Sequence, residues 1–173
     1  MTAFTLDDAK RAWARSYEGL GQEEIDQRVL GFAALVRGIA QQGAVSPEEF
    51  AAELRIDLLR AVELFDRLAT VGVQVDEAGH VVGAALTARE TPHRIEVGGV
   101  ALYAWCALDT LFISGLLSER AEVASSCPVT GESVRVTVTP EGVESHSPAG
   151  AVLSVVIPGA GTSSAQTGPA SPT

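Results

Sequence analysis

From Thr5 to about Gln42 the large apolar side chains Leu6, Trp13, Tyr17, Ile25, Val29, Phe32, Leu35, Val36 and Ile39 recur mostly at spacings of three, four and seven. That is the period of a helix, and the break around Gly19 to Gly21 divides it into two amphipathic helices. Ser46, Pro47 and Glu49 then supply an N-cap, a proline at the first helical position and a capping-box acid, so a short helix begins there. A second helix follows from about Asp57 to Ala69. Next, VGVQVDEAGHVVGAALT sets β-branched residues on either side of Glu77-Ala78-Gly79, which predicts two short strands around a turn. Helix, turn, helix, hairpin is the order of a winged helix.

A different pattern begins near Thr91. TPHRIEVGGVALYAWCALDTLFISGLL offers an extended segment, a turn at Gly98-Gly99 and an apolar helix from about Leu102 to Ile113. Beyond it VRVTVT alternates with the period of a strand, Pro140-Glu-Gly marks a turn, and AVLSVVI reads as a buried strand. From Gly159 the chain holds Gly, Ser, Thr, Pro and Ala with no large apolar side chain, and is expected to be disordered. The predicted class is α+β. A winged-helix-like helical domain spans residues 1–88, an α+β segment with a small antiparallel sheet packed with one or more helices spans 89–158, and a tail spans 159–173.

Composition narrows the partners. With 46% hydrophobic residues the chain can bury a core, while 12 basic against 22 acidic residues give a net charge of -10. That sign repels phosphate backbones and anionic lipid. The helix that would enter a DNA groove carries Asp57, Arg60, Glu63, Asp66 and Arg67, more acid than base, so no nucleic-acid partner is expected. No apolar run approaches the ~20 residues of a membrane span, and MTAFTLDDAKRAW lacks the order of a secretory signal. The expected location is the cytoplasm. There the two cysteines, Cys106 and Cys127, are free thiols, metal ligands or a nucleophile rather than a disulfide.

LYAWCALDT places Cys106 three residues before Asp109 among apolar neighbours. On a helix that spacing turns both side chains to one face. A thiol is a ligand for soft metals, and a carboxyl wrapped in apolar groups has a raised proton affinity and can serve as an acid. The residues alone also allow a packed cysteine beside a capping aspartate. Cys127, in the turn-like SSCPVTG, reads as a buried structural thiol and only a weak metal candidate. His80, His93 and His146 are scattered, without the spacing of a zinc pair. His93 is expected to cap or pack against the neighbouring helix, and Tyr103 and Trp105 to be core.

The run TPHRIEVGGVALYAWCALDTLFISGLL, followed by AEVASSCPVTGESVRVTVTPEGV and PAGAVLSVV, closely resembles the organomercurial (alkylmercury) lyases over about Leu86 to Val156. The resemblance implies cleavage of a carbon–mercury bond by protonolysis, giving a hydrocarbon and Hg(II). It implies that Cys106 takes the mercury as a thiolate, that Asp109 handles the proton that ends on carbon, and that the cysteine matching Cys127 is structural. No organic cofactor is implied; mercury is bound as substrate and product, and cellular thiols carry it away. The family pattern continues past AVLSVV to a further catalytic cysteine in a Cys-Asn-His-like context, whereas this sequence passes from Ile157-Pro158 into the Gly/Ser/Thr/Pro tail. The expectation is therefore impaired cleavage. The alternatives are a non-catalytic protein that binds a soft metal or organomercurial, or a silent regulator.

Overall fold

The computed structural model describes residues 19–69 and 72–153. The first of the two N-terminal helices expected from the sequence, and the tail from Gly159, lie outside the described residues. Helix α1 (Gln22–Gln42) follows Gly21, buries Leu35, Val36 and Ile39, and ends where the Gly43 N–H closes on the Ile39 carbonyl at 2.9 Å. Helix α2 (Pro47–Leu54) begins as the sequence predicts. Ser46 Oγ accepts the Glu49 N–H at 3.2 Å, and the Glu49 carboxylate accepts the Ser46 N–H at 2.8 Å. Two N–H groups that a helix start leaves without partners are thereby paired. Helix α3 (Leu58–Ala69) starts after Asp57, whose carboxylate accepts the Arg60 N–H at 3.0 Å. Its buried face of Ala61, Leu64, Phe65 and Leu68 meets α2 through an edge-on contact of Phe65 with Phe50, ring centres 4.9 Å apart.

Among the described residues, eight strands form one antiparallel sheet in the order β1-β2-β3-β5-β4-β6-β7-β8. They are β1 (Gln74–Val75), β2 (Val81–Ala84), β3 (Leu86–Thr87), β4 (His93–Val97), β5 (Val100–Ala104), β6 (Ala121–Ser126), β7 (Ser133–Thr139) and β8 (Gly142–Ser147). Strands from both sides of residue 88, where the sequence pattern sets its boundary between units, belong to this one sheet, β3 pairing with β5. One face presents Ile95, Val97, Leu102, Ala104, Ala121, Val123 and Val138 to helices α1 and α4 (Asp109–Leu117), and all these side chains belong to a single buried cluster.

Two expectations are corrected. The helix expected over Leu102 to Ile113 is strand β5, a turn, and then α4. Gly98 and Gly99 have φ of 58° and 77°, the left-handed conformation of a two-residue hairpin, and they return the chain along β4 with Val97 opposite Val100 and Ile95 opposite Leu102. The segment is apolar at a period of two as well as at a helical period, and cross-strand pairing decides between them: Leu102 and Ala104 are buried, Tyr103 is half-buried and Ala101 is exposed. The second correction concerns AVLSVVI. Residues 151–153 are not in a strand and Val152 is 91% exposed; the rest of that segment lies outside the described residues.

Candidate active site

Strand β5 ends at Ala104, helix α4 begins at Asp109, and the four residues between them form a turn. Cys106 is therefore on a strand-to-helix turn rather than on the side of a helix, and the turn brings it back onto Asp109. The Asp109 Oδ2 accepts the Cys106 backbone N–H at 2.9 Å, and the thiol and carboxyl are close enough to shift each other's proton affinity. The turn is held on both sides. Thr110 Oγ1, buried, donates to the Ala107 carbonyl at 2.7 Å. On the strand side Thr91 Oγ1 donates to the Ala104 carbonyl at 2.6 Å, and the Trp105 N–H donates to the Ala85 carbonyl at 3.0 Å.

The two groups perturb each other. Desolvation by its surroundings and the negative charge of Asp109 push the Cys106 thiol up to about 11, although the residue reaches the surface. Near neutral pH the sulfur rests as a thiol. Burial likewise raises the proton affinity of Asp109, against the opposing effect of the Cys106 hydrogen bonds. A thiol that must lose a proton to bind a soft metal thus sits against a carboxyl prepared to hold one.

Cys127 is elsewhere. It opens the turn between β6 and β7, its carbonyl accepting the Gly131 N–H at 2.8 Å and its N–H bonding to the Glu132 carbonyl at 2.9 Å. Strands β5 and β6 flank β4, and the two cysteines follow the ends of these strands at the same end of the sheet. The expectation of a buried thiol is corrected: Cys127 is only half-buried, because it stands at a hairpin tip rather than under a helix. Hydrogen bonds from the Thr130 hydroxyl, and from the backbone N–H groups of Thr130 and Val129, hold its thiol below the ordinary range.

His93 packs across the sheet rather than against a helix, its Nδ1 lying 3.0 Å from Ser125 Oγ on β6, and desolvation lowers its proton affinity. Trp105 and Tyr103 are half-buried, not core. Among the described residues no group of three or more His, Cys, Asp or Glu side chains is arranged to hold a metal ion. No helix among them is long and apolar enough to cross a membrane. The local pattern gave no sign of one contributor: Ala85, whose carbonyl anchors Trp105, holds a φ of 56° that few alanines adopt.

The family model for alkylmercury lyases matches residues 86–168. An alkylmercury lyase of Staphylococcus epidermidis is 43% identical over 127 residues, which are 73% of this chain and 58% of that protein. One of Pseudomonas putida is 46% identical over 99 residues, 54% of this chain and 47% of the relative. One of Streptomyces lividans is 49% identical over 87 residues, 50% of this chain and 40% of the relative. The chain thus spans about half the length of these relatives. Among solved structures, the mercury-bound form of MerB2 superposes with a TM-score of 0.59 at 25% identity, covering 81% of this chain and 67% of that one.

Proposed function

This chain belongs to the alkylmercury lyase family, and from that premise we propose that it cleaves carbon–mercury bonds by protonolysis. The observation that carries the reading is the contact of Cys106 with Asp109: a thiol, which suits a soft metal, beside a carboxyl, which can carry a proton.

The steps balance with these two groups. The Cys106 thiol transfers its proton to the Asp109 carboxylate as the sulfur bonds to the mercury of R–Hg⁺. This yields a Cys106–S–Hg–R adduct and a neutral Asp109. Thiolate donation raises the electron density on the metal and makes the carbon a better proton acceptor. Asp109 then gives its proton to that carbon as the Hg–C bond breaks, releasing R–H and leaving Hg(II) on the sulfur. Cellular thiols exchange the metal off. The raised proton affinity of Asp109 suits it to hold the proton between the two steps. Cys127 takes no part, and no organic cofactor is required.

The test is incubation with phenylmercuric acetate and excess thiol, with benzene measured by gas chromatography. Benzene release that is lost in Cys106→Ser is the expected result. Stoichiometric retention of mercury without benzene would replace a lyase with a binding protein.

A further inference from the structure

We propose that Trp105 is a positioning residue for the Cys106–Asp109 turn, and that Gly83 on β2 is the seat that lets its ring do this. The inference rests on the reading of Cys106 and Asp109 as the working pair.

Trp105 immediately precedes Cys106 and is tied to the β1–β2–β3 hairpin twice. Its backbone N–H donates to the Ala85 carbonyl at 3.0 Å. Its ring lies on backbone that has no side chains in the way. A methyl group built on Gly83 would come within 2.8 Å of Trp105 Cζ2, and one on Gly72 within 3.8 Å of Cζ3. Real carbon atoms do not approach to 2.8 Å, so any side chain at residue 83 must displace the ring.

Gly72 has a φ of 97° and would be strained by a side chain for its backbone alone, whereas Gly83 is not among the residues with positive φ. Glycine at 83 is needed for the close approach and not for backbone conformation, so a substitution there probes the ring contact. From the helix side Asp109 and Thr110 hold the turn through hydrogen bonds to Cys106 and Ala107. The hairpin end has Trp105. The sulfur is therefore located by anchors on both flanks, and moving the ring moves the first of them.

The experiment uses the full chain, phenylmercuric acetate and excess thiol. Gly83→Ala should lower kcat about 100-fold, the cost of a displacement of about 1 Å at a reacting group, with KM little changed. Adding Trp105→Phe, whose smaller ring leaves room for the methyl, should return about tenfold of that loss. Gln74 Oε1 also lies 3.2 Å from the built methyl, so Gly83→Ala/Gln74→Ala, which removes that atom and leaves Cβ in place, is the control and should return nothing.

A second readout needs no turnover. In a Trp13→Phe/Cys127→Ser background, Trp105 is the remaining tryptophan and Cys106 the remaining thiol. Mercuric chloride should quench Trp105 emission strongly with Gly83 and weakly with Gly83→Ala. If the parent protein releases no benzene while the quenching responds in this way, the lyase reading fails and the positioning role stands. Unchanged kcat and quenching in Gly83→Ala, or rescue by Gln74→Ala in place of Trp105→Phe, overturns the proposal. Should Gly83→Ala not fold by circular dichroism, Trp105→Phe alone carries the test: reduced kcat at constant KM supports it, and unchanged kcat overturns it.

Discussion

Asp109 accepts the backbone N–H of Cys106 at 2.9 Å, so the carboxyl proposed to handle the proton also fixes the main chain that carries the sulfur. The two roles can be separated by substitution. Asparagine keeps a side-chain oxygen that can accept the same bond and cannot carry a proton between thiol and carbon. In a Cys127→Ser background, which leaves Cys106 as the remaining thiol, Asp109→Asn should therefore bind phenylmercury one-to-one, as judged by mercury retained after gel filtration. Benzene release should fall by about 10²- to 10⁴-fold, the usual worth of a general acid. Loss of mercury binding in step with turnover would assign Asp109 to holding the turn alone.

The two cysteines should react in the reverse order of their exposure. Cys106 is the more exposed residue, yet its thiol is pushed up to about 11, while Cys127 is held below the ordinary thiol range by Thr130 and Val129. The thiolate is the nucleophile, so at pH 8 iodoacetamide should modify Cys127 first. Cys106 should label appreciably only as the pH rises toward its own value. In Asp109→Asn the repelling charge is gone and Cys106 should label at lower pH. Peptide mapping by mass spectrometry gives both orders.

Removal of the α2 cap should cost stability in a pH-dependent way. Ser46→Ala deletes the oxygen that accepts the Glu49 N–H, a loss of about 1 kcal/mol in urea unfolding near pH 7. The Ser46 N–H and hydroxyl hold the Glu49 carboxyl below its usual range, so its share of the stabilisation is present above that range and lost as pH falls through it. The difference between wild type and variant should narrow in acid.

Local chemistry announced much of this architecture, and long-range pairing hid the rest. Ser46, Pro47 and Glu49 mark the start of α2 because a cap is written within four residues, and Asp57 does the same for α3. VRVTVT could be read as a strand because its alternation is its own. The apolar residues from Leu102 to Leu108 satisfy two periods, and only the left-handed Gly98-Gly99 hairpin, which sets Leu102 opposite Ile95, excludes the helix. At the site, Cys106 and Asp109 were recognisable as a pair from their spacing and their signature. The seat of Trp105 was not, since Gly83 lies 22 positions away in sequence and is brought to the ring by the register of β2 with β3 and β3 with β5.

Asp109 should also cost the fold stability in return for its chemistry. Burial raises its folded-state proton affinity above the value it has in the unfolded chain. Between those two values the native state binds more protons than the unfolded state, so stability falls as pH rises through the interval and stays reduced above it. The Cys106 thiol adds a second decline of the same sign in alkali, starting where an unfolded cysteine ionises and continuing to about 11. Asp109→Asn carries no charge to desolvate, which removes the first decline, and withdraws the charge that raises the thiol, which shifts the second. The variant should therefore melt at a higher temperature than wild type at pH 7, and the gap should close as the pH is lowered to the point where Asp109 is protonated in both states. Scanning calorimetry of the two proteins from pH 3 to pH 8 measures it. Equal melting temperatures throughout would mean that Asp109 is solvated well enough to ionise freely, and it could not then hold the proton between the two steps.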